Sequence, residues 1–359
     1  MKWALWTLAF LPTIAVAEST TGPHFVYVSV GGAGKIAIYE MNPESGALTS
    51  RGSAPAKGAP GSLAIDPTQT YLYAALRSSR SVGTYRINPK TGQLTLIGTT
   101  PLVSSATYIT TDKTGRYLLT AYYGAGKAAV YPIKNGVVQK KATQILTAKK
   151  NPHSILLDPS NNYGYVPCTG ADVILQYKWN AKKGTLTPLE QSEVVTKKGA
   201  GPRHFRFDPR EDSNLVYVVN EKNSSVTTYR QNRKTGVLTS QQRIPTLPST
   251  FEGGNTCADI ELTPNGRFVY ASNRGHDSLA VYSIDAKTGR LTAVGQQPTE
   301  KTPREFAIDP SGRFVYSAGQ RSGKMISYSV DQKTGQLRPL KTYEVGRGPS
   351  WVTVVNFPK

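Results

Sequence analysis

Short apolar segments recur along the chain, and each has the length and residue types of a β-strand. One segment ends in Asp-Pro, a turn follows, and a second segment rich in Tyr and Val comes next, as in Leu63–Pro67 followed by Tyr71–Ala75. Bounded runs of this kind are typical of strands, whereas no long stretch carries helical periodicity. The pattern predicts an all-β chain.

The same pair of segments repeats at a regular interval. Further copies of the first segment are Tyr108–Asp112 (without the proline), Ile155–Pro159, Phe205–Pro209, Ile260–Pro264 and Phe306–Pro310. Their Asp residues, with Thr263 in the same role in one copy, lie 46 to 55 residues apart. A four-stranded propeller blade occupies ~40–50 residues, so each copy is interpreted as one blade.

A second marker has the same period. The pattern Asn-x-x-Thr-Gly-x-Leu, or a relative of it, supplies a turn glycine at Gly46, Gly92, Gly136, Gly184, Gly236, Gly289 and Gly335. Glycine adopts the positive φ that a tight hairpin needs, so we expect these turns to join the last two strands of each blade. Seven such turns predict a seven-bladed β-propeller.

The two ends of the chain complement each other. The first repeat begins at Phe25 with a second-strand segment, and the chain finishes with a first-strand segment, Gly348–Phe357. We therefore expect the C-terminal strand to complete the N-terminal blade and close the ring, which protects edges that an open sheet would expose.

The N-terminus has the features of a signal peptide. Lys2 precedes an apolar run that ends in the small residues of Ala15–Ala17. That run is too short for a membrane span, and no later segment is apolar enough for one. We expect residues 1–17 to be a signal peptide cut after Ala17 and residues 22–359 to form the propeller domain. The mature protein is then periplasmic or secreted.

Composition and charge narrow the classes of partner. Tyr (20), Gly (33) and Pro (24) suit many short strands joined by turns, and the formal net charge is +20. This excess favours anionic partners, a small anionic substrate among them, but the Lys residues are scattered over turns, which favours a solvated basic surface as its explanation. Nucleic acid is an unsuitable partner for an exported protein. Cys168 and Cys257 fall in different repeats, which predicts two free thiols.

Polar residues of two kinds of loop should meet at one mouth of the propeller. The starts of the first strands and the loops joining strands two and three lie on the same face. The candidates for substrate contact or catalysis are His153, Arg203, His204, Asn255 and Arg304 from the first group and Glu221, Asn273, Arg274 and His276 from the second. Arginines can clamp a carboxylate or phosphate, and a Glu with a nearby His can move protons. No Gly-x-Ser-x-Gly elbow and no His spacing typical of a metal site occurs.

At these loops the sequence resembles the lactonase family of seven-bladed propellers, which includes the propeller-type 6-phosphogluconolactonase and carboxy-cis,cis-muconate cyclase. The resembling segments are Gly201–Phe205, Tyr217–Glu221, Ala258–Leu262 and Gly266–Asp277. The resemblance implies a cleft that acts on a sugar lactone, a lactone like 6-phosphogluconolactone or a muconate-like acid, without a metal or an organic cofactor. It implies functional roles for His153, Arg203, Glu221 and Arg274, with His204 and Asn273 in support.

Two positions depart from the family pattern, and alternative functions stay open. Cys168 stands where the family usually has Asp, and Glu305 stands where Asn usually follows Pro-Arg. An acid beside Arg304 is expected to lower the affinity of the mouth for anions. The leading hypothesis is a monomeric lactonase of carbohydrate metabolism, with a muconate-type cycloisomerase and a non-catalytic periplasmic binding or scaffold propeller as alternatives.

Overall fold

The computed structural model describes residues 22–358, which form 29 strands and one short 3₁₀ helix, Gly31–Ala33. The predicted signal peptide, residues 1–17, lies outside the described residues. In chain order the strands are β1 (His24–Val30), β2 (Lys35–Met41), β3 (Leu48–Pro55), β4 (Pro60–Ile65), β5 (Tyr71–Leu76), β6 (Ser81–Ile87), β7 (Leu94–Pro101), β8 (Tyr108–Thr111), β9 (Tyr117–Tyr122), β10 (Lys127–Lys134), β11 (Val137–Val138), β12 (Gln144–Thr147), β13 (Leu156–Leu157), β14 (Tyr163–Cys168), β15 (Val173–Asn180), β16 (Thr185–Val195), β17 (Pro202–Phe207), β18 (Leu215–Asn220), β19 (Ser225–Gln231), β20 (Leu238–Pro245), β21 (Thr256–Leu262), β22 (Phe268–Arg274), β23 (Ser278–Ile284), β24 (Leu291–Pro298), β25 (Pro303–Ile308), β26 (Phe314–Gly319), β27 (Lys324–Val330), β28 (Leu337–Glu344) and β29 (Pro349–Asn356).

Residues 22–358 arrange these strands in seven antiparallel sheets, as predicted. Blades two to seven are β4–β7, β8–β12, β13–β16, β17–β20, β21–β24 and β25–β28. In the third blade the outer strand is split, because β11 and β12 each pair with a different part of β10. The first blade has the order β29-β1-β2-β3, so the C-terminal strand closes the ring as the sequence predicted.

The recurring Asp fixes the turn between the first two strands of a blade. The Asp66 carboxylate accepts hydrogen bonds from the backbone N–H of Thr68 and of Tyr71, and Asp309 does the same for Ser311 and Phe314. Such side-chain-to-backbone bonds are the reason that Asp favours turns. These contacts confirm the structural role of the repeat.

Tyrosines of the second strands join each blade to the next. The Tyr27 hydroxyl donates to the Gly92 carbonyl at 2.9 Å, and Tyr316 of the seventh blade donates to Gly46 of the first at 2.8 Å. The same bond joins Tyr73 to Gly136, Tyr165 to Gly236, Tyr217 to Gly289 and Tyr270 to Gly335. All seven turn glycines have positive φ, as predicted. The high tyrosine content thus reflects a repeated contact between blades.

The core lies between the blades. Val, Ala, Leu and Tyr side chains of the second and third strands are buried between neighbouring sheets. Cys168 and Cys257 are buried free thiols, as expected from their placement in the fourth and sixth blades. None of the helices among residues 22–358 is long and apolar enough to cross a membrane.

Candidate active site

The starts of the inner strands and the loops joining strands two and three meet on one face, which we call the mouth. Backbone hydrogen bonds link the two kinds of segment directly. The Glu221 N–H donates to the Gly201 carbonyl at 2.7 Å, and the Gln320 N–H donates to the Thr302 carbonyl at 2.9 Å. The mouth predicted from the repeat is therefore present in the structure.

A β-bulge turns one arginine of each of two inner strands toward the axis. Pro202 pairs with Asn220 while His204 pairs with Val219, which leaves Arg203 as the extra residue. Arg304 is the extra residue of the seventh blade in the same way, between Pro303 and Glu305. A bulge re-aims a side chain, which explains why a strand residue points along the channel.

Other blades place different residues at the position that follows the proline. This position holds Gly61, His153, Arg203, Arg304 and Ser350, and all five line one narrow void of about 10 Å³ on the axis. A void of this size has room for about one water molecule. The residue after the proline therefore sets the chemistry of the upper channel in each of these blades.

Above this void the mouth contains a cavity of about 290 Å³, which we call the mouth cavity. It is lined by Arg77, Ser105, Thr107, Tyr123, Gly124, His153, Glu221, Arg274 and Arg304. Of these residues only Glu221 is acidic, while three are arginines. The cavity suits a small ligand that carries negative charge.

Glu221 is held by two arginines. Arg274 donates to Oε1 at 2.7 Å, and Nε of Arg203 lies 3.6 Å from Oε2. Oε2 accepts no hydrogen bond from residues 22–358, so it has free capacity to accept one from a ligand or a water. Arg203 itself is 1% exposed, donates to the Ala258 carbonyl and lies below the mouth cavity.

The arginines are crowded, and their pKa values fall accordingly. Burial, reinforced by Arg274 and Arg304, lowers the pKa of Arg203 to about 9. Burial also lowers the pKa of Arg304 to about 10, with Arg274 and Arg77 adding to the effect. Both side chains stay cationic at neutral pH, which gives the mouth an excess of positive charge over Glu221.

His153 is an uncharged imidazole at neutral pH. Burial, and then the charge of Arg203 and Arg304, hold its pKa well below the usual value. Its Nδ1 has no hydrogen-bond partner among residues 22–358, and its ring packs edge-on against Tyr123 with centroids 5.5 Å apart. A neutral imidazole in this place can exchange hydrogen bonds with a ligand.

His204 belongs to a buried group deeper in the channel. Its Nδ1 lies 2.9 Å from Asp259 and 3.7 Å from Glu305, and its ring packs against His153 with centroids 5.0 Å apart. His204, Asp259 and Glu305 are close enough to hold a metal ion. However, Arg206 lies 3.9 Å from Asp259, and a neighbouring guanidinium group opposes a bound cation.

Glu305 does not face the mouth cavity. It is 2% exposed, and burial raises its pKa well above the usual value, with Asp259 adding to the effect. A neutral Glu305 adds no negative charge to the mouth. The position of Glu305 therefore gives no support to the expectation that this acid weakens anion binding beside Arg304.

Three further candidates lie outside the mouth cavity. Asn273 is fully buried and bonds to Thr246 through both side-chain atoms. Asn255 donates to Asn273 and accepts from the backbone N–H of His276, whose Nδ1 contacts Ser278. These contacts support the wall between the fifth and sixth blades rather than the mouth cavity.

Five of the nine lining residues of the mouth cavity were absent from the sequence prediction, and Arg77 and Tyr123 are the two of them with large side chains. Arg77 follows β5 and Tyr123 follows β9, so both belong to the loops between second and third strands. Their position in the repeat equals that of Glu221 and Arg274. The repeat therefore indicated that both residues lie in loops of the mouth, but nothing in the sequence indicated that the Arg77 side chain reaches the axis.

Comparisons with known proteins agree with this architecture. The family model described as a lactonase with a seven-bladed β-propeller matches residues 15–107 and 99–354. A 6-phosphogluconolactonase of Serratia proteamaculans is 39% identical over 236 residues, which are 65% of this chain and 70% of the relative. That of Pectobacterium carotovorum is 37% identical over 233 residues, or 65% of this chain and 69% of the relative. Among solved structures, the periplasmic gluconolactonase of Pseudomonas aeruginosa has a TM-score of 0.86 at 26% identity, covering 93% of this chain and 99% of that one.

Proposed function

The chain belongs to the family of seven-bladed β-propeller lactonases, and we propose that its mouth cavity hydrolyses a small anionic sugar lactone with Glu221 as the general base. The relatives named 6-phosphogluconolactonase support lactone hydrolysis as the reaction. The observation that carries the residue assignment is the mouth cavity itself, in which one carboxylate lies among arginines and a neutral histidine.

In the proposed reaction a water molecule attacks the carbonyl carbon of the lactone. The water transfers a proton to Oε2 of Glu221 while its oxygen forms the new C–O bond, and the carbonyl π electrons move to the carbonyl oxygen. When the tetrahedral intermediate collapses, the ring C–O bond breaks and its electron pair leaves on the ring oxygen. The proton on Glu221 passes to that oxygen, which yields the open hydroxy acid.

Arg274 and Arg203 have different tasks in this scheme. Arg274 fixes Glu221 through one nitrogen, and its second terminal nitrogen donates no hydrogen bond within residues 22–358. That nitrogen is free to stabilise the oxyanion of the intermediate. Arg203 is buried beneath Glu221 and orients the carboxylate through Nε.

His153 is assigned to hydrogen bonding rather than to proton abstraction. A histidine surrounded by arginines, with its pKa held well below the usual value, is a weak base. Its neutral ring can still bond to a substrate hydroxyl or to the ring oxygen as that oxygen leaves. His204, packed against it, supports its orientation.

The test is a titration of acid release from sugar lactones, corrected for spontaneous hydrolysis, with Glu221→Gln as the informative variant. Glutamine keeps the shape but cannot take the proton, so kcat should fall by about 10²–10⁴ with KM changed much less. Glu190→Gln, the same change at an exposed position of β16, is the control. Full activity in Glu221→Gln would remove this residue from the mechanism.

We propose that the protein works in the periplasm or outside the cell. Support comes from the signal-like segment that ends at Ala17 and from the periplasmic location stated for the gluconolactonase of Pseudomonas aeruginosa. N-terminal sequencing of protein isolated from its native source should begin at or near Glu18. Recovery of intact Met1 in mature protein would contradict export.

A further inference from the structure

The four arginines near the mouth cavity fall into two pairs with different partners. Arg203 and Arg274 share the single carboxylate of Glu221 and also donate to backbone carbonyls. In contrast, among residues 22–358 the side chains of Arg77 and Arg304 form no hydrogen bond and no ion pair with a carboxylate. The two arginines without a carboxylate partner therefore belong to the second and seventh blades.

The fold makes room for Arg77 at one specific place. Gly61 holds the position after the proline in the second blade, where the fifth and seventh blades have arginine. A Cβ atom at Gly61 would lie 2.8 Å from Cδ of Arg77 and 3.3 Å from its Cγ. The Arg77 stem thus passes over Gly61 into the space that a side chain would fill. An arginine from a loop replaces the arginine that the inner strand lacks.

Arg77 and Arg304 line the same cavity, and among residues 22–358 neither forms an ion pair with a carboxylate. Both also line the narrow void beneath it, and the charge of Arg77 helps to lower the pKa of Arg304, so the two positive charges lie near each other. Two like charges held together in this way are unfavourable unless an anion binds between them. Guanidinium groups are well suited to a carboxylate or phosphate because they bond to it with two parallel N–H groups.

We propose that Arg77 and Arg304 form a second anion site, which binds a carboxylate or phosphate on the substrate remote from the lactone carbonyl. This inference rests on the proposed function, because the bound anion is taken to be a group of the lactone substrate. It extends that function by naming residues that choose between substrates. Glu221 and Arg274 act on the lactone group at one side of the cavity, while Arg77 determines the preference for a charged substituent at the other side. Arg77 is then a specificity-determining residue.

Binding of open-chain sugar acids tests the site without requiring catalysis. Gluconate carries one carboxylate, glucarate carries two, and 6-phosphogluconate carries a carboxylate and a phosphate. Calorimetry should give the two acids with a second anionic group at least about tenfold higher affinity than gluconate. In Arg77→Gln this preference should fall by about ten- to a hundredfold, since a charge-assisted bidentate contact is lost. The two acids also distinguish a carboxylate site from a phosphate site.

Gly61→Ala is the second variant, because it displaces Arg77 without removing its charge. It should reduce the same preference while leaving the net charge of the protein unchanged. Arg321→Gln is the matched control. Arg321 lies in a neighbouring cavity of about 370 Å³ with Lys301 and Arg274, which is the competing place for a second anion.

The outcomes separate this inference from the proposed hydrolysis. Loss of the preference in Arg77→Gln and Gly61→Ala, but not in Arg321→Gln, supports the site even if no lactone is hydrolysed. Equal affinity of the unaltered protein for all three acids would overturn it, and so would loss of the preference in Arg321→Gln instead. In either of those cases the proposed function would still be supported if Glu221→Gln abolished lactone hydrolysis.

Discussion

Asp259 and Glu305 share one buried space under the arginines of the mouth. Both side chains contact Nδ1 of His204, and both are almost completely buried. Two carboxylates this close cannot both ionise without strong repulsion, so a proton is retained. Burial, with Glu261 adding to the effect, raises the pKa of Asp259 to about 7.

This environment predicts a specific pH dependence of stability. Because the pKa of Asp259 is raised in the folded protein, the folded state holds a proton that the unfolded state releases above about 3.8. The stability that this proton contributes is present in acid and is lost as the pH rises toward about 7. Between pH 5 and 7 the free energy of unfolding should fall by about 1–3 kcal/mol more in the unaltered protein than in Asp259→Asn.

Denaturant titrations at several pH values, with both proteins side by side, would measure the difference. Contributions from groups other than Asp259 and its neighbour Glu305 should largely cancel, because both proteins share them. Burial lowers the pKa values of His153 and His204, so these two residues have the opposite effect. Their contribution to the free energy of unfolding is lost as the pH falls below about 6.5. Identical slopes for the two proteins would show that Asp259 does not hold the proton.

At this scale the sequence located the main residues but not their environments. Glu221, Arg274 and His153 could be assigned to the mouth because the repeat fixes which loops share a face. The burial of Glu305 and the reach of Arg77 depend on the bulge after each proline, and one inserted residue exchanges the sides to which neighbouring side chains point. The repeat period carries no information about that local shift.

The hairpin between the last two strands is the element that couples neighbouring blades. Gly236 of the fifth blade has a φ of 78°, and a Cβ atom there would lie 2.2 Å from the ring of Tyr163 in the fourth blade. The Gly236 carbonyl also accepts the hydroxyl of Tyr165. Glycine is needed here for two separate reasons, the backbone angle and the close approach of a ring. The sequence motif predicted the first reason, while the second depends on the packing of blades.

A pair of alanine variants separates the two reasons. Gly199 has the same φ of 78°, but no atom lies within 4 Å of a Cβ built on it. Gly199→Ala should therefore lower the free energy of unfolding by about 1–2 kcal/mol, from backbone strain alone. Gly236→Ala should lower it by about a further 1–3 kcal/mol, because the fourth and fifth blades must move apart.

Chemical denaturation of the two variants under the same conditions gives the comparison. Equal losses in the two variants would mean that the tyrosine ring yields without cost and that the hairpin contact does not fix the spacing of blades. A larger loss in Gly199→Ala would contradict the packing explanation entirely.

Closure of the ring brings the C-terminal strand β29 into contact with residues of the channel below the mouth cavity. Trp351 of β29 packs edge-on against Tyr108 with centroids 5.3 Å apart, and its ring lies 6.0 Å from that of His204. The strand that joins the two ends of the chain therefore also forms part of the channel wall below the mouth. The sequence predicted the closure from its two incomplete repeats. The contact with His204 could not be predicted, because it crosses the channel between blades that are distant in sequence.

Removal of the closing strand should consequently affect stability and activity together. β1 pairs with β29 from His24 opposite Asn356 to Val30 opposite Pro349, and deletion of residues 351–359 removes the partners of β1 from His24 to Ser29. An opened ring exposes a strand edge and buried side chains of the first blade, so we expect a large drop in melting temperature and a tendency to aggregate. Deletion of residues 358–359 alone, beyond β29, is the control and should change neither property. Calorimetric melting and lactone hydrolysis measured on the same preparations would test both expectations.

If the longer deletion melted at the temperature of the full chain, ring closure by β29 would contribute little to the fold. If it lost stability yet kept full activity when folded, the packing of Trp351 would have no part in holding the channel residues.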